Sequence, residues 1–346
     1  MFNFLRPFIF KFSPEVAHSL AIKALKLNNF PANKIVKSEI LQTNFCGKML
    51  SSPIGVAAGF DKNAEVYNPL FNLGFGFVEV GTITPKQQYG NPKPRVFRLE
   101  EDEALINRLG FNNSGSDEIC SRISKESKKG ILGINIGPNK EAENRIEDYI
   151  NCFKKFHTLA DYITINISSP NTENLRDFHN HDELASLMKE LKNEKVKLNS
   201  KVPIAVKVSP DLNDKQIEVV SNILLDQEIE IIIISNTTDK NRNKLININK
   251  LEKGGLSGKP LYYISNDVIS KFYKLLGKKI KIIGVGGVDS GEAAFEKIIR
   301  GASLVQLYTG MVYKGPDIAC SISSELIDIL KNKGFKNISE AVGTKY

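Results

Sequence analysis

From Pro53 onward, short apolar runs alternate with stretches in which apolar residues recur every three or four positions. The second pattern is typical of amphipathic helices, as in "RIEDYINCFKKFHTLA", "DELASLMKELKNEKV", "DKQIEVVSNILLD" and "GEAAFEKIIRG". The first pattern predicts eight buried strands, at 54–58, 76–81, 131–136, 162–167, 203–208, 229–235, 280–285 and 303–308. Such alternation predicts an α/β fold with a parallel sheet. Eight units closing on themselves favour a (β/α)8 TIM barrel over an open doubly wound sheet.

Two insertions, residues 84–129 and 236–279, interrupt this alternation. Both contain polar, glycine-rich pieces, "NRLGFNNSG" and "KGGLSGKPL", which we interpret as loops over one mouth of the barrel. Long loops in compact domains are commonly functional, so we expect the two insertions to form a lid.

Residues 1–40 differ in pattern from the barrel region, residues 41–346, and predict a small N-terminal helical segment. Ser13-Pro14-Glu15 is typical of a helix start, with a capping serine, a proline at the first position and an acid in the first turn. The preceding "FNFLRPFIFKF" holds five phenylalanines around two cations. The segment either packs on the barrel or lies in a membrane interface, and we favour the membrane.

Composition and charge narrow the function classes. The 346 residues are 41% hydrophobic and 25% charged, enough to bury a large core. The net charge is +8, but the lysines are spread out rather than clustered with aromatic residues, which argues against nucleic acid as a partner. A basic surface still favours an anionic substrate or an anionic membrane surface. The four cysteines are far apart with no CxxC pair, which argues against a zinc site or a disulfide framework.

The residues at the ends of the first six predicted strands, or directly after them, share one chemical character. In a parallel barrel these positions meet at one mouth, where functional groups lie. They supply amides, hydroxyls and two lysines, a set suited to holding a polar heterocycle by its edge. In chain order they are Ala58, Gly59, Lys62, Thr82, Asn135, Asn166, Lys207 and the residues of "SNTT" (235–238).

The last two strands are followed by glycine turns instead. Gly286 and Gly287 come after the seventh strand, and Thr309 and Gly310 after the eighth. Backbone amides without side chains in the way predict a phosphate cradle. A phosphate and a flat ring without a metal-ligand cluster suggest flavin mononucleotide (FMN). The alternative is a phosphorylated sugar substrate, with Lys207 as a Schiff-base lysine, but the asparagines then have no obvious purpose.

Seven motifs, in this order and at these intervals, carry a resemblance to a known family: "AAGFDKN", "NRLGFNNSG", "NISSPNT", "SNTT", "GGLSG", "GVGGV" and "YTG". The chain resembles class 2 dihydroorotate dehydrogenases, the quinone-reducing, membrane-associated type, over nearly its whole length. The resemblance implies oxidation of (S)-dihydroorotate to orotate, the fourth step of pyrimidine biosynthesis. It implies FMN as hydride acceptor and a membrane quinone as final acceptor. It also implies a monomer bound peripherally to the cytoplasmic side of the cell membrane.

The resemblance also implies roles for single residues. Ser169, in "NISSPNTENLR", would be the base that removes a proton from the substrate. A serine hydroxyl is a poor base at its free pKa, so a proton relay is needed, and Thr172 is our candidate partner with Phe111 packing over it. The implied substrate-binding residues are Lys62, Asn107, Arg108, Leu109, Gly110, Phe111, Asn166, Asn171, Asn236 and Thr237.

The implied flavin and quinone sites take in both ends of the chain. The two N-terminal helices would form a tunnel through which the quinone reaches the flavin. The implied tunnel residues are His18, Arg98 and Tyr308. The implied flavin-binding residues are Ala58, Gly59, Lys62, Thr82, Asn135, Asn166, Lys207, Ser235, Gly258, Gly286, Gly287, Tyr308 and Thr309.

The chain departs from the family pattern at a few positions. The family's turn usually continues Ser-Pro-Asn-Thr-Pro-Gly, whereas Glu173 and Asn174 fill the last two places here. Because Asn tolerates the left-handed conformation, we expect the loop to keep its fold. Ser235 stands where threonine is usual and keeps the hydroxyl. Two rivals stay open: a colourless phosphosugar enzyme and a non-catalytic membrane-docking module.

Overall fold

The computed structural model describes residues 2–27, 35–172 and 175–346. Its strands are β1 (Thr43–Phe45), β2 (Lys48–Leu50), β3 (Ile54–Val56), β4 (Phe77–Ile83), β5 (Val96–Leu99), β6 (Ala104–Asn107), β7 (Ile131–Ile136), β8 (Tyr162–Asn166), β9 (Ile204–Val208), β10 (Ile231–Ile234), β11 (Gly255–Gly258), β12 (Lys281–Val285) and β13 (Ala302–Leu307). Its helices are α1 (Phe2–Ile9), α2 (Pro14–Lys26), α3 (Tyr67–Phe71), α4 (Ser116–Ile123), α5 (Arg145–Phe156), α6 (His181–Lys197), α7 (Asp214–Asp226), α8 (Tyr262–Leu276), α9 (Gly291–Ile299), α10 (Thr309–Lys314) and α11 (Ile318–Asn332).

The predicted TIM barrel is confirmed. Strands β3, β4, β7, β8, β9, β10, β12 and β13 pair in this order and close on β3, and the pairs are parallel. Each of the eight predicted apolar runs overlaps one of these strands, and β4 and β13 extend beyond their runs by two residues and one residue. The four helical patterns quoted above correspond to α5, α6, α7 and α9. Helices between successive strands cover the outside of the barrel, as parallel strands require.

The hairpin of β1 and β2 closes the bottom of the barrel. The two strands pair antiparallel, and Phe45 is almost fully buried. Its ring packs against Phe77 at 5.9 Å and Tyr162 at 5.5 Å between centroids. Strands of three residues are too short to show a period in the sequence, so the hairpin was not predicted. With the bottom filled, the functional cleft must lie at the opposite mouth.

The interpretation of both insertions as loops was wrong for three segments. Strands β5, β6 and β11 form a separate antiparallel sheet, in which Asn107 pairs with Gly255. The glycines of "KGGLSG" permit close approach of the chains: a Cβ on Gly254 would lie 2.3 Å from the Asn107 carbonyl oxygen. A Cβ on Gly255 would lie 1.9 Å from the Thr237 hydroxyl. The sequence suggested a loop because glycine is a common turn residue. In this sheet the glycines instead allow the neighbouring chains to pack closely.

The N-terminal helices pack on the barrel near this small sheet. Helix α2 begins at Pro14 after Ser13, as predicted, although the Ser13 side chain makes no capping hydrogen bond. Helix α1 lies near α10, and α2 lies against β5 and α3. Among the described residues, no helix is both long and apolar enough to span a bilayer. The proposed division at residue 40 stays a prediction, and residues 28–34 of that segment lie outside the described ranges.

Candidate active site

A cleft opens at the carboxyl ends of the barrel strands, opposite the β1–β2 hairpin. It is lined by residues from the strand ends, the small antiparallel sheet and the glycine turns. Most of the residues predicted from the sequence are brought together there. Those that line it are Ala58, Gly59, Lys62, Thr82, Asn107, Leu109, Gly110, Phe111, Asn166, Ser169, Asn171, Lys207, Ser235, Asn236, Thr237, Gly258, Gly286, Gly287, Tyr308 and Thr309.

A chain of hydrogen bonds runs from the barrel interior into this cleft. The fully buried Asn135 donates its amide to Glu79 at 2.8 Å and accepts from the Thr82 hydroxyl at 2.6 Å. Thr82 in turn accepts from the Asn166 amide at 2.9 Å. Each hydrogen bond in this chain fixes which atom of the next side chain donates and which accepts. The buried Glu79 and Asn135 therefore set the orientations of Thr82 and Asn166 at the cleft surface. Asn135 itself supports the lining rather than forming it.

Glu79 supports the cleft from below and was not predicted from the sequence. It lies in the barrel interior, fully buried, in the apolar run "FVEVG". Besides Asn135, it accepts hydrogen bonds from the Tyr162 hydroxyl and the Gln306 amide, each at 3.0 Å. These donors come from three other strands. A buried acid needs such partners, so an acid inside a buried strand was the available signal.

A second cluster surrounds Asn166 at the cleft surface. The Asn166 side-chain oxygen accepts from the Ser168 hydroxyl at 3.0 Å and from the Asn236 amide at 3.3 Å. Asn236 also donates to Ser168 at 3.0 Å. Ser168, which the sequence reasoning did not single out, thus joins the ends of β8 and β10. The cluster holds two amide side chains in fixed orientations, as a hydrogen-bonding ring requires.

Ser169 lies in the turn that follows β8, buried to 5% exposure at the cleft wall. Its hydroxyl oxygen accepts the backbone N–H of Asn171 at 3.2 Å. The Asn171 amide donates to the Asn107 carbonyl at 3.1 Å and so ties the turn to β6. Because the Ser169 hydroxyl accepts this bond, its own proton is free to turn toward the cleft.

Lys62 and Lys207 are two of the four lysines that line the cleft; the other two, Lys259 and Lys314, each pair with Glu103. Lys62 donates to the Gly59 carbonyl at 2.8 Å, and burial together with Arg95 lowers its pKa to about 8, against the opposing effects of Glu15 and Asp61. Burial also lowers the pKa of Lys207, and Glu79 partly offsets this. In the described chain the Lys207 ammonium has no hydrogen-bond acceptor, so it is available to a ligand in the cleft.

The glycine turns leave backbone donors free. Among the described residues, the N–H groups of Gly286, Gly287, Thr309 and Gly310 have no hydrogen-bond acceptor. Gly287 has φ of +69° and touches Tyr262, where a Cβ would come within 2.7 Å of the Tyr262 backbone. These amides suit a phosphate group at the same edge of the cleft, and the phosphate cradle stays a prediction.

Some predicted residues are not placed at the cleft. The Arg108 guanidinium lies over the Phe97 ring and pairs with Glu252 at 2.7 Å, and Arg108 does not line the cleft. Thr172 is also absent from the lining, and within the described residues no hydrogen bond joins it to Ser169. The relay through Thr172 stays a prediction. Glu173 and Asn174 lie outside the described ranges.

A second, apolar cavity of about 500 Å³ lies between the N-terminal helices and the barrel. Its lining is dominated by side chains of α1, α2 and the turn between them. Val96, Leu105 and Tyr308 line both this cavity and the cleft. The two cavities therefore meet at these three side chains. A hydrophobic molecule can approach the cleft from this side without passing the turn that holds Ser169.

Two of the predicted tunnel residues belong to the apolar cavity and the third joins the two cavities. His18 packs against Phe60 at 5.2 Å and Tyr308 at 6.4 Å between ring centroids, and burial and Lys62 lower its pKa to about 3. Arg98 donates to the carbonyl of Phe10 at 2.8 Å and to that of Phe12. Its guanidinium also lies 4.5 Å from the Phe10 ring. Arg98 thus fixes the turn between α1 and α2 to β5.

A family model, curated proteins and a solved structure all match this chain over most of its length, and all are dihydroorotate dehydrogenases. Residues 40–330 match the family model described as dihydroorotate dehydrogenase. A protein named dihydroorotate dehydrogenase (quinone) from Agrobacterium fabrum is 43% identical, over 96% of this chain and 93% of its own. One of the same name from Idiomarina loihiensis is 46% identical, over 94% of this chain and 100% of its own. The crystal structure of Eimeria tenella DHODH in complex with ferulenol superposes with a TM-score of 0.93 and 37% identity, over 96% of this chain and 95% of that one.

Proposed function

The chain belongs to the dihydroorotate dehydrogenase family, and we propose from this premise a division of labour among its residues in the oxidation of dihydroorotate to orotate with a quinone as electron acceptor. This reaction is a step of pyrimidine biosynthesis. The observation that carries the proposal is the junction of the two cavities at Val96, Leu105 and Tyr308. A polar cleft and an apolar cavity with a common wall suit two substrates of opposite polarity.

The family is one of flavoproteins, and the residues of the cleft fit FMN. The free amides of Gly286, Gly287, Thr309 and Gly310 suit its phosphate group. The unpartnered Lys207 ammonium suits the electron-rich edge of the ring. A bound FMN would supply a hydride acceptor for the substrate and an electron donor for the quinone. The protein supplies the position of the ring and the charges beside it.

Ser169 is the proposed base for the substrate proton. Its buried hydroxyl lies in the same wall as Asn107, Asn171 and Asn236, whose amides suit the substrate's own amide groups. A serine can take up a substrate proton only as it passes its own onward, because its free pKa is far too high for a simple base. The bond from Asn171 N–H fixes the hydroxyl oxygen while this happens.

Lys62 is proposed to bind the substrate carboxylate. With a pKa of about 8 the ammonium is largely protonated at neutral pH, despite its burial. The same charge favours negative charge that develops in the cleft during oxidation. Its bond to the Gly59 carbonyl holds it at the end of β3. His18, which touches Phe60 beside this lysine, stays neutral at physiological pH because its pKa is about 3.

We place the quinone in the apolar cavity and the membrane on the outer face of α1 and α2. The side chains of Phe4, Phe8 and Phe12 are 76%, 56% and 50% exposed. So much exposed apolar surface is unusual for a segment that faces water. The Lys11 ammonium lies 5.6 Å from the Phe8 ring, so cations flank the apolar face. This combination suits peripheral attachment to an anionic membrane surface. We further propose that the protein is a monomer and binds on the cytoplasmic side.

The first experiment is a visible spectrum of the purified protein under anaerobic conditions, before and after addition of dihydroorotate. We expect a flavin band that bleaches on addition. A flavin band that persists would discard the substrate. A protein shown to be made without flavin would favour the phosphosugar alternative. Extraction of the flavin and its separation from riboflavin and FAD decide whether it is FMN.

Replacement of Ser169 tests the proposed base. Ser169→Ala should keep bound flavin and lower the rate of flavin reduction by dihydroorotate at least about a hundredfold, the usual range for loss of a general base. Ser221→Ala is the matched control, because this buried hydroxyl lies on α7 and makes no hydrogen bond within the described chain. Normal reduction in Ser169→Ala would remove Ser169 from the mechanism.

Deletion of residues 1–40 tests the quinone and membrane assignments together. The truncated protein should still bleach its flavin with dihydroorotate, because the cleft wall is built mainly from the barrel. It should lose both quinone reduction and binding to vesicles that contain anionic lipid. Quinone reduction as fast as in the full chain would contradict the assignment of the apolar cavity. Vesicle binding that is the same with and without anionic lipid would contradict the charge argument.

A further inference from the structure

Lys297 is a fully buried lysine that no part of the reaction described above uses. It lies on the inward face of α9, among Ala293, Ala294 and Ile298. In the described chain its ammonium group has no carboxylate partner: it donates to the Ser265 hydroxyl and the Asn266 side-chain oxygen, each at 2.9 Å. A buried ammonium with neutral partners alone is costly. A negative charge near the Lys297 ammonium would therefore stabilise it.

The ammonium lies directly behind the glycine turn after β12. The Lys297 side chain runs along Gly284, where a Cβ would come 3.1 Å from its Cδ atom. The ammonium also lies 5.9 Å from the ring of Tyr262, whose backbone packs against Gly287. The cleft is thus on one side of this turn and Lys297 on the other. A ligand charge on the cleft side faces the ammonium across one layer of backbone.

Ser265 connects the lysine to that backbone. Its hydroxyl accepts from Lys297 and donates to the Val285 carbonyl, which also accepts from Ser235 N–H at 3.2 Å. In a trans peptide the N–H points away from the C=O of the same unit. With the Val285 carbonyl held toward α8 and β10, the N–H of Gly286 is held in the opposite direction. That N–H is one of the amides without an acceptor in the described chain.

We propose that Lys297 belongs to the phosphate-binding site, as a buried positioning residue whose ammonium attracts the phosphate from behind the turn and fixes Gly286 N–H through Ser265. This inference rests on the proposed binding of FMN in the cleft. The phosphate supplies the negative charge that Lys297 lacks in the protein. Glu296, its neighbour on α9, is already paired with Arg300 at 2.7 Å and Lys345 at 2.5 Å.

Flavins with and without phosphate give a direct test. Full-length protein loaded with FMN or with riboflavin is diluted, and flavin fluorescence measures each Kd. Lys297→Met should raise the Kd for FMN about tenfold or more and leave that for riboflavin within about twofold, because only FMN carries the charge. Ser265→Ala keeps the ammonium and should give a smaller loss, again for FMN alone. Lys331→Met, which removes an exposed lysine on α11, is the control and should leave the ratio of the two Kd values unchanged.

Each result decides a different claim. An unchanged Kd for FMN in Lys297→Met, or equal weakening of both flavins, would overturn the role of Lys297. A wild-type protein that held riboflavin as tightly as FMN would instead remove the phosphate cradle, and the proposed cofactor with it.

The wild-type protein offers a second measurement in case Lys297→Met does not fold. Burial and Arg300 lower the pKa of Lys297 to about 7. Phosphate binding favours the protonated lysine, so the preference for FMN over riboflavin should fall as pH rises from 7 to 9; a constant preference would count against the proposal. The phosphate itself is already dianionic above about pH 7. The other charged or titratable groups facing the lysine or the turn are Tyr262, Glu296, Arg300, Asp289, Lys259, Lys314 and Glu103.

Discussion

Glu79→Gln should destabilise the protein although it changes one atom group and no volume. The carboxylate accepts three hydrogen bonds, from Asn135 at 2.8 Å and from Tyr162 and Gln306 at 3.0 Å. An amide in its place offers one acceptor oxygen and brings an NH₂ group against donors. At least one buried donor then loses its acceptor, which costs about 1–3 kcal/mol, and the remaining bonds lose their charge assistance. Removal of a buried charge offsets part of this, and we expect a net loss of about 2–4 kcal/mol.

Urea unfolding followed by far-UV circular dichroism, at saturating flavin, measures this loss. Glu218→Gln is the matched control, because Glu218 is an exposed residue on α7 and the same substitution there should change the free energy of unfolding by less than about 0.5 kcal/mol. A loss below about 1 kcal/mol in Glu79→Gln would refute the reasoning. It would mean that Asn135, Tyr162 and Gln306 find other acceptors once the carboxylate is gone.

Two further predictions concern Lys62 in the cleft and Arg98 at the apolar cavity. The free energy of unfolding of wild type, relative to that of Lys62→Met, should rise between about pH 8 and 10.5. The reason is that the pKa of Lys62 is about 8 in the folded protein, so in this range the unfolded chain binds a proton that the folded protein has lost. A difference between the two proteins that stays constant with pH in urea unfolding would contradict this. Arg98→Met should raise the KM for quinone several-fold and leave flavin reduction by dihydroorotate unchanged, because the carbonyls of Phe10 and Phe12 lose their donor. Arg122→Met on α4 is the control for loss of an arginine. An unchanged KM for quinone in Arg98→Met would contradict the prediction.

The barrel strands could be predicted because each is a local signal. Runs such as "IIII" in β10 are buried on both faces and need no knowledge of their partners. The small antiparallel sheet is different, since β6 and β11 are four residues each and lie far apart in the chain. Neither strand shows a period until its partner is known. The sequence could therefore place Asn107 at the cleft but not explain the glycines opposite it.

Site residues that lie at the end of a strand could be predicted from the sequence. Residues whose role depends on partners distant in the chain were harder to predict. Asn107 and Arg108 are adjacent in a motif, yet neighbouring residues at a strand end point to opposite faces, and Arg108 pairs with Glu252 instead of lining the cleft. Glu79 and Lys297 were passed over because their partners come from other strands and helices. A polar residue inside an apolar pattern marks such positions without saying what it meets.

The meeting of the two cavities at Val96, Leu105 and Tyr308 also bears on how such a protein can diverge. About half of the residues that line the apolar cavity, where we propose that the quinone binds, belong to the first 25 residues, whereas the proposed dihydroorotate site lies at the ends of the barrel strands. Mutation can therefore change the proposed quinone side, residue by residue, while the cleft at the strand ends stays intact. Lineages that live with different quinones can inherit one catalytic centre and adapt only its helical vestibule.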